Sequence, residues 1–287
     1  MNFRIESATG VLREVLLCRP KFYEWLPTSH AARESIAIGI GFDRKLAENQ
    51  HDSLVSALLG AGVNCRFIEP EPNLPDLCWT RDSSQITPWG PIITDLSAPE
   101  RSAENDVLRQ YYDDQSVPIS RSITAGHIEG GDIQIIRPGL LAVGYSEGRS
   151  SKAAAGEFAG WFDEQGWDTW LQPVADRFVH LDVTFCMAAT NVAIVCNEAT
   201  GDELPGWLRK HGIHVVSVGM SEAEKLACNC LALGSNRTII AGHGLDVTAD
   251  LRQYGIDVTE LDLDMFTRAG GAVHCLTQPL RRDAIEQ

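Results

Sequence analysis

The residues able to do chemistry in this 287-residue chain fall into four short clusters, at residues 75–82, 127–132, 180–182 and 268–282. The last cluster contains Cys275, which follows Gly270 and Gly271 and stands directly after His274. Glycine permits tight backbone bends, and a nearby imidazole favours the thiolate form of a cysteine. Cys275 is therefore a candidate nucleophile.

Taken singly, each cluster has an ordinary structural interpretation: a free cysteine is usually a small buried apolar residue, an Arg-Asp pair a surface ion pair, and Gly-Gly-Asp a turn. Taken together, the clusters supply a thiol, an imidazole and several carboxylates. A guanidinium carbon is a poor electrophile because its charge is delocalised over the nitrogens. Attack on it requires a thiolate, carboxylates that orient the N–H groups, and an acid that protonates the departing amine. The combination predicts chemistry on a guanidinium group.

The elements that must position these residues are short strands and helices in alternation. Nine apolar runs have the length of a buried strand and are bounded by Gly, Pro, Asn or Asp: 11–18, 63–68, 91–94, 133–136, 140–144, 192–196, 215–218, 238–241 and 258–261. Helices are predicted at 46–61, 152–166 and 203–212, each ending at a glycine. This alternation predicts an α/β fold, and the lack of a linker predicts one catalytic domain over residues 1–287. The spacing hints at internal repeats. Residues 21–43 have no clear period and are expected to form either a loop over a pocket or an irregular helix.

Composition excludes several classes of function. The net charge of −15 argues against binding to nucleic acid or to an anionic membrane surface and suits a cationic small molecule, although many soluble enzymes are acidic. No secretory signal or membrane-length apolar stretch is present. The eight cysteines are scattered through mostly apolar runs, and Cys228-Asn-Cys230 lacks the second pair of a zinc site. We therefore expect a cytoplasmic protein with reduced thiols and no bound metal.

The four clusters resemble those of the guanidine-modifying superfamily of arginine deiminases, dimethylarginine dimethylaminohydrolases and amidinotransferases. Residues 13–20 resemble the family's first strand and residues 50–62 its following helix, so the resemblance covers nearly the whole chain. It implies a single-domain five-bladed pseudosymmetric α/β propeller around a central active site, with no cofactor and a small guanidino compound as substrate. The long helical insertion of many arginine deiminases is missing.

The resemblance also implies roles for individual residues. Cys275 would attack the substrate and form a thiouronium intermediate. His180 would act first as a general acid and then as a general base. Glu129 would hold His180 and contact the guanidinium, while Asp82 and Asp182 would accept hydrogen bonds from its N–H groups.

A second set of residues would hold the rest of the substrate. Asp76 matches the residue that reaches the substrate's α-amine in dimethylarginine dimethylaminohydrolases. Arg101 and Arg149 match the family's carboxylate-binding arginines in spacing. Arg268 is not expected to contact a carboxylate, and His274 is expected to be a loop residue rather than a second base.

The activity implied is hydrolysis of arginine or an arginine derivative, which gives a ureido product such as citrulline together with ammonia or an amine. An amidinotransferase is the alternative, because residues 270–275 resemble those enzymes closely, whereas residues 129–132 favour hydrolysis. A catalytically silent protein of the same fold is a third hypothesis, but it would be expected to lack the cysteine or the carboxylates. The substrate's tail, and whether the protein is a monomer or a homo-oligomer, are left open.

Overall fold

The computed structural model describes residues 3–242 and 244–285, and its regular elements are short. The strands are β1 (Leu12–Cys18), β2 (Asn64–Ile68), β3 (Ser84–Thr87), β4 (Gly90–Ile93), β5 (Arg121–Ser122), β6 (Ile133–Arg137), β7 (Leu140–Tyr145), β8 (Asp168–Pro173), β9 (Phe185–Ala189), β10 (Val192–Val195), β11 (His214–Ser217), β12 (Leu231–Gly234), β13 (Arg237–Ala241), β14 (Asp257–Leu261) and β15 (Gln278–Arg282). The helices are α1 (His30–Ala37), α2 (Arg44–Gly60), α3 (Glu104–Asp114), α4 (Lys152–Asp163), α5 (Asn197–Thr200), α6 (Glu203–Lys210), α7 (Met220–Ala223), α8 (Asp246–Gln253) and α9 (Asp264–Thr267).

The strands form five three-stranded sheets that share one plan. In four of them an antiparallel hairpin continues through a helical segment into a third strand that pairs in parallel, as β6, β7, α4 and β8 do. The fifth sheet joins the two ends of the chain, because β15 pairs antiparallel with β1, and β1 pairs in parallel with β2. The repeat suggested by the sequence is therefore a ββαβ unit, and the α/β prediction is confirmed.

All nine predicted strands are present, each to within one residue at either end, and so are the three predicted helices. The sequence missed strands with polar or ambiguous side chains. In β3 every residue is buried although three of the four are polar. Ser84 Oγ lies 2.9 Å from Tyr112 Oη, and Thr87 Oγ1 donates to Gly90 O at 2.8 Å. Such hydrogen bonds allow a polar strand to be buried. Because the strand has no apolar pattern, it could not be predicted from the sequence.

We call the edge strand that pairs antiparallel with the middle strand the first strand of its sheet: β3, β6, β9, β12 and β15. These five first strands contribute side chains to one shared cavity. Its wall includes Gln85 from β3, Gln134 from β6, Met187 from β9, Leu231 from β12 and Pro279 from β15. The five sheets thus meet through these strands.

The segment 21–43 contains α1 and is fixed against the chain that leads to Cys275. Ser29 caps α1, since its Oγ accepts a hydrogen bond from Ala32 N, and the same hydroxyl donates to Ala269 O at 2.7 Å. Trp25 Nε1 donates to Met265 O at 2.7 Å. Of the two predictions for this segment, the helical one is correct for residues 30–37, whereas Thr28 and Ser29, which precede the helix, line a pocket as the loop prediction expected.

Across residues 3–242 and 244–285, no helix is both long enough and apolar enough to cross a membrane. All eight cysteines are unpaired, and all but Cys65 are buried.

Candidate active site

Most of the residues that the sequence predicted for the site converge on one pocket of about 40 Å³. Its walls include Asp76, Asp82, Arg101, Arg149, His180 and Cys275, together with Trp79 and the backbone of residues 269–271. The other two predicted residues, Glu129 and Asp182, are fully buried directly behind the pocket. Glu129 contacts His180, and Asp182 contacts Cys275.

His180 lies between two carboxylates. Its Nε2 is 2.7 Å from Glu129 Oε2, and its Nδ1 is 3.6 Å from Asp82 Oδ1. Burial alone would lower the pKa of His180, but the charges of Asp82 and Glu129 outweigh it and raise the pKa to about 9. The imidazole is therefore protonated at neutral pH, as a general acid must be.

The glycines of residues 129–132 make room for this arrangement. A Cβ at Gly131 would lie 2.4 Å from His180 Nδ1, and one at Gly130 would lie 2.0 Å from Arg81 O. Any larger residue at these two positions would displace the imidazole or the neighbouring backbone. The Gly-Gly pair is thus more than a simple turn, because it allows the backbone to lie close to the side chain of His180.

Glu129 is held as an anion inside the protein. Burial would raise the pKa of its carboxyl, but the hydrogen bond from His180 and the charge of Arg149 hold that pKa well below its usual range. Its second oxygen, Oε1, accepts hydrogen bonds from the backbone N and the hydroxyl of Ser97, both at 3.0 Å. A carboxylate fixed on both oxygens can orient His180 with little freedom to move.

The thiol of Cys275 is surrounded by polar groups. Its Sγ lies 3.3 Å from Asp182 Oδ2 and accepts a hydrogen bond from Asn229 Nδ2 at 3.1 Å. Burial raises the pKa of Cys275 well above its usual range, and the nearby charges of Asp182 and Asp82 raise it further. Without a cation beside it, the sulfur is a protonated thiol.

Asp182 and His274 form a pair on the far side of Cys275. His274 Nδ1 donates to Asp182 Oδ2 at 2.8 Å. Burial would raise the pKa of Asp182, but this hydrogen bond lowers it. Burial and the charge of Arg81 lower the pKa of His274 to about 4. His274 lies in a turn, as expected, and its imidazole is neutral at physiological pH.

The pocket's arginines are partly engaged by acidic side chains. Arg101 donates from Nη1 to Asp82 Oδ2 at 2.9 Å and from Nε and Nη2 to Glu104 at 2.8 and 2.9 Å. Arg149 donates from Nη2 to Thr28 O at 3.0 Å, and its Nη1 lies 3.5 Å from Glu129 Oε2. Arg268, which was not expected to bind a carboxylate of the substrate, pairs on the surface with Asp264 instead.

Three buried polar atoms of this region have no hydrogen-bond partner among the described residues: Asp82 Oδ1, Asp182 Oδ1 and Arg149 Nη1. Asp76 is also buried in the pocket wall, and burial raises the pKa of its carboxyl despite the nearby charge of Arg101. Buried polar groups are normally paired, so this set indicates a ligand with both cationic N–H groups and an anionic end.

Sequence reasoning missed Asn229. Its Nδ2 contacts both Cys275 Sγ and Asp182 O, at 3.1 and 3.3 Å, and its Oδ1 accepts from His274 N at 3.0 Å. In the sequence it is only the spacer of Cys228-Asn-Cys230, which lacks the second pair of a zinc site. An amide inside an apolar run was the available signal, since a buried amide needs several partners.

Asp82, Glu129 and His180 also offer three ligand atoms within 4.8 Å of one another. A histidine that binds a metal must have a neutral imidazole. In this structure, the two carboxylates favour the charged imidazolium form of His180. The geometry therefore suits proton transfer better than coordination of a cation.

Several known proteins are similar to this chain in sequence. The family model described as N,N dimethylarginine dimethylhydrolase, eukaryotic, matches residues 30–282. The chain is 26% identical over 237 residues to the N(G),N(G)-dimethylarginine dimethylaminohydrolase of Mycobacterium tuberculosis, which covers 82% of this chain and 76% of that protein. It is 30% identical over 237 residues to an arginine deiminase of Rhodococcus erythropolis, which covers 76% of this chain and 54% of that one.

A solved structure also shares the fold. A mutant dimethylarginine dimethylaminohydrolase of Pseudomonas aeruginosa in complex with citrulline superposes with a TM-score of 0.78. The alignment covers 93% of this chain and 99% of that chain. At 19% identity, this likeness shows the fold alone.

Proposed function

This chain belongs to the N,N-dimethylarginine dimethylhydrolase family, and on that premise we propose that it hydrolyses the guanidino group of arginine or an N-methylated arginine. The proposed products are citrulline and either ammonia or a methylated amine. One observation carries the proposal: a thiol, an imidazole and buried carboxylates lie in and directly behind a single pocket. We also propose that the five sheets close into a ring around this site, which agrees with the cavity shared by their first strands.

The unpartnered atoms suggest how the substrate would bind. Asp82 Oδ1 and Asp182 Oδ1 would accept hydrogen bonds from the guanidinium, in the charge-assisted geometry that fixes both position and orientation. Asp76 would take the α-ammonium group, whose charge would offset the burial of its carboxyl. Arg149 Nη1 would donate to the α-carboxylate, and Arg101 retains one N–H on each terminal nitrogen for the same group.

Binding of the substrate would also ionise the nucleophile. The two carboxylates that raise the pKa of Cys275 would be compensated by the guanidinium that they hold. A cation beside the sulfur favours the thiolate, and the proton of the thiol would pass to solvent. The thiol would thus stay protonated until a substrate with the correct charge arrives.

In the first half of the proposed reaction, the thiolate of Cys275 attacks the guanidinium carbon and a C–S bond forms. The C–N bond to the departing nitrogen breaks while protonated His180 gives that nitrogen its proton. Ammonia or a methylated amine leaves, and the substrate remains attached to the sulfur as a thiouronium group.

In the second half, His180 is neutral and accepts a proton from a water molecule. The resulting hydroxide equivalent attacks the thiouronium carbon, the C–S bond breaks, and the departing sulfur takes the remaining hydroxyl proton, which restores the thiol. The product is a urea, and His180 is protonated again. Glu129 serves both halves by holding the imidazole in place at 2.7 Å.

The test is a substrate screen with purified protein. Arginine, its methylated forms and agmatine are incubated separately, and the ureido product and the released amine are measured by mass spectrometry. We expect at least one of them to give equal amounts of the two products, with no product from Cys275→Ser. Cys65→Ser, at a partly exposed thiol outside the pocket, is the matched control and should be fully active. Failure of the folded wild-type protein to form a ureido product from any of these compounds would overturn the proposal.

The same screen tests the transferase alternative. An amidinotransferase would release ornithine from arginine only when an acceptor amine such as glycine is added, because the amidino group must move to that amine. Formation of citrulline without an acceptor identifies a hydrolase.

A further inference from the structure

The cavity shared by the first strands of the five sheets is separate from the candidate active-site pocket. Among the described residues, the two spaces have no lining residue in common. Arg81 and Asp82 show the division, since Arg81 lines this cavity and Asp82 lines the active-site pocket. We name it the rear cavity, defined by Arg81, Gln134, His274 and Arg282.

The rear cavity is unusual for its charge. Two arginines line it, and none of the described residues in its wall is Asp or Glu. This occurs in a chain with a net charge of −15, in which acidic side chains outnumber basic ones by 39 to 24. A surface patch of mixed charge would not give this pattern.

Neither arginine has a carboxylate partner among the described residues. Arg81 is only 5% exposed, and its one side-chain hydrogen bond runs from Nε to His274 O at 3.3 Å. Arg282 is half-buried rather than buried, and it donates from Nη1 to Gly10 O at 2.7 Å. Arginine stays charged in proteins, and a buried charge without a counter-ion is expensive. Among the described residues, the terminal nitrogens of Arg81 have no hydrogen-bond acceptor.

The electrostatics agree with this geometry. Burial lowers the pKa of Arg81 to about 10, even though Asp182 and Asp82 oppose the change. Burial and the charge of Arg81 together lower the pKa of Arg282 to about 9. The charges of Asp182 and Asp82 thus stabilise the Arg81 guanidinium only in part, and the two guanidinium groups repel each other.

We propose that the rear cavity binds one small monovalent anion, either chloride or a single carboxylate group, between the guanidinium groups of Arg81 and Arg282. Its volume of about 30 Å³ is enough for one or two water-sized particles, which excludes phosphate esters and nucleotides. The anion would neutralise both arginines and hold the backbone that carries the nucleophile, because Arg81 N also donates to Cys275 O at 3.2 Å. The site is structural and depends on none of the chemistry proposed above.

The test is thermal unfolding at constant ionic strength, with sodium gluconate replaced stepwise by sodium chloride or by sodium formate. Gluconate is too large for the rear cavity and serves as the inert anion. We expect the Tm to rise and then to saturate with at least one of the two small anions, as binding to the native state requires. A response to chloride identifies a halide site, and a response to formate alone identifies a carboxylate site.

Variants assign the response to the rear cavity. Arg282→Gln should weaken the apparent affinity by about tenfold or more, the loss expected for one charge-assisted hydrogen bond. Arg13→Gln is the matched control, because Arg13 is an exposed arginine that pairs with Asp283, and it should keep the full response. No saturable rise in the wild-type protein, or an unchanged response in Arg282→Gln, would overturn the proposal.

A second measurement needs no variant. Crystals grown or soaked in sodium bromide should show anomalous density in the rear cavity, within hydrogen-bond distance of both guanidinium groups, if the site takes a halide. Crystals in sodium formate should show the carboxylate there if it does not. Absence of both ions from the cavity would refute the inference.

Discussion

Replacing Glu129 by glutamine should lower the pKa of His180 while leaving the imidazole in place. Glutamine has nearly the same shape as glutamate and can still accept a hydrogen bond from His180 Nε2, but it carries no charge. Asp82 remains 3.6 Å from the other ring nitrogen, so one of the two carboxylates that favour the imidazolium is kept. The substitution therefore isolates the electrostatic contribution of Glu129.

The size of the decrease in the His180 pKa follows from the hydrogen bond between His180 and Glu129. A hydrogen bond to a charged group contributes about 1.5–3 kcal/mol, and one pKa unit corresponds to about 1.4 kcal/mol. The bond here is short, at 2.7 Å, and fully buried. Loss of its ionic component should lower the pKa of His180 from about 9 by about one to two units. The imidazole would then be largely neutral above pH values of about 7 to 8.

Titration of the His180 ring protons by NMR measures this pKa directly. The alkaline limb of the kcat profile should move in the same direction, because protonated His180 must donate a proton to the leaving amine. Glu157→Gln is the control, since that carboxylate accepts from the backbone of Thr124 and Ala125 and should leave the His180 pKa unchanged. An equal His180 pKa in Glu129→Gln and wild type would refute the electrostatic reasoning.

Three further substitutions test the geometry. Gly131→Ala would place a Cβ 2.4 Å from His180 Nδ1 and should reduce kcat at least tenfold. Gly156→Ala is the control, because the space around its Cβ is open, and it should leave activity unchanged. Activity assays on both variants decide this. Asn229→Ala removes the 3.1 Å hydrogen bond to Cys275 Sγ and should lower kcat by about tenfold to a hundredfold with little change in KM, and an unaltered kcat would exclude a positioning role. Arg149→Gln removes the proposed donor to the substrate's carboxylate and should raise KM about tenfold or more for arginine but not for agmatine, which has no carboxylate; equal effects on both compounds would contradict that assignment.

The sequence was sufficient to predict elements whose burial leaves a local pattern. Strands such as β7 (Leu140–Tyr145) are almost wholly apolar, because side chains on both faces are covered. β3 (Ser84–Thr87) is just as buried, but its polar residues find partners distant in the chain, and no local pattern encodes those partners. The pairing of β15 with β1 likewise joins residues from opposite ends of the chain.

The candidate site shows the same limit. The motifs that resemble the family were sufficient to predict Cys275 and His180 as site residues. The structure adds which residues surround them in the pocket. Asn229 was missed because its partners lie 45 to 47 residues away along the chain. The sequence also could not predict which cavity the side chain of Arg81 lines. Neighbouring residues in the chain can face different cavities, and the folded backbone determines which cavity each side chain faces.

The central claim is that Cys275 forms a covalent bond to the guanidinium carbon of the substrate. Rapid acid quenching during turnover, followed by mass spectrometry of the peptide that contains Cys275, measures this bond directly. His180→Ala should form the adduct more slowly, because it lacks the proposed general acid, and should then accumulate it, because it cannot activate water for the second half of the proposed reaction. We predict a mass increase equal to the substrate minus its leaving amine, located on Cys275. Steady product formation with Cys275 unmodified in both the wild-type protein and His180→Ala would contradict covalent catalysis.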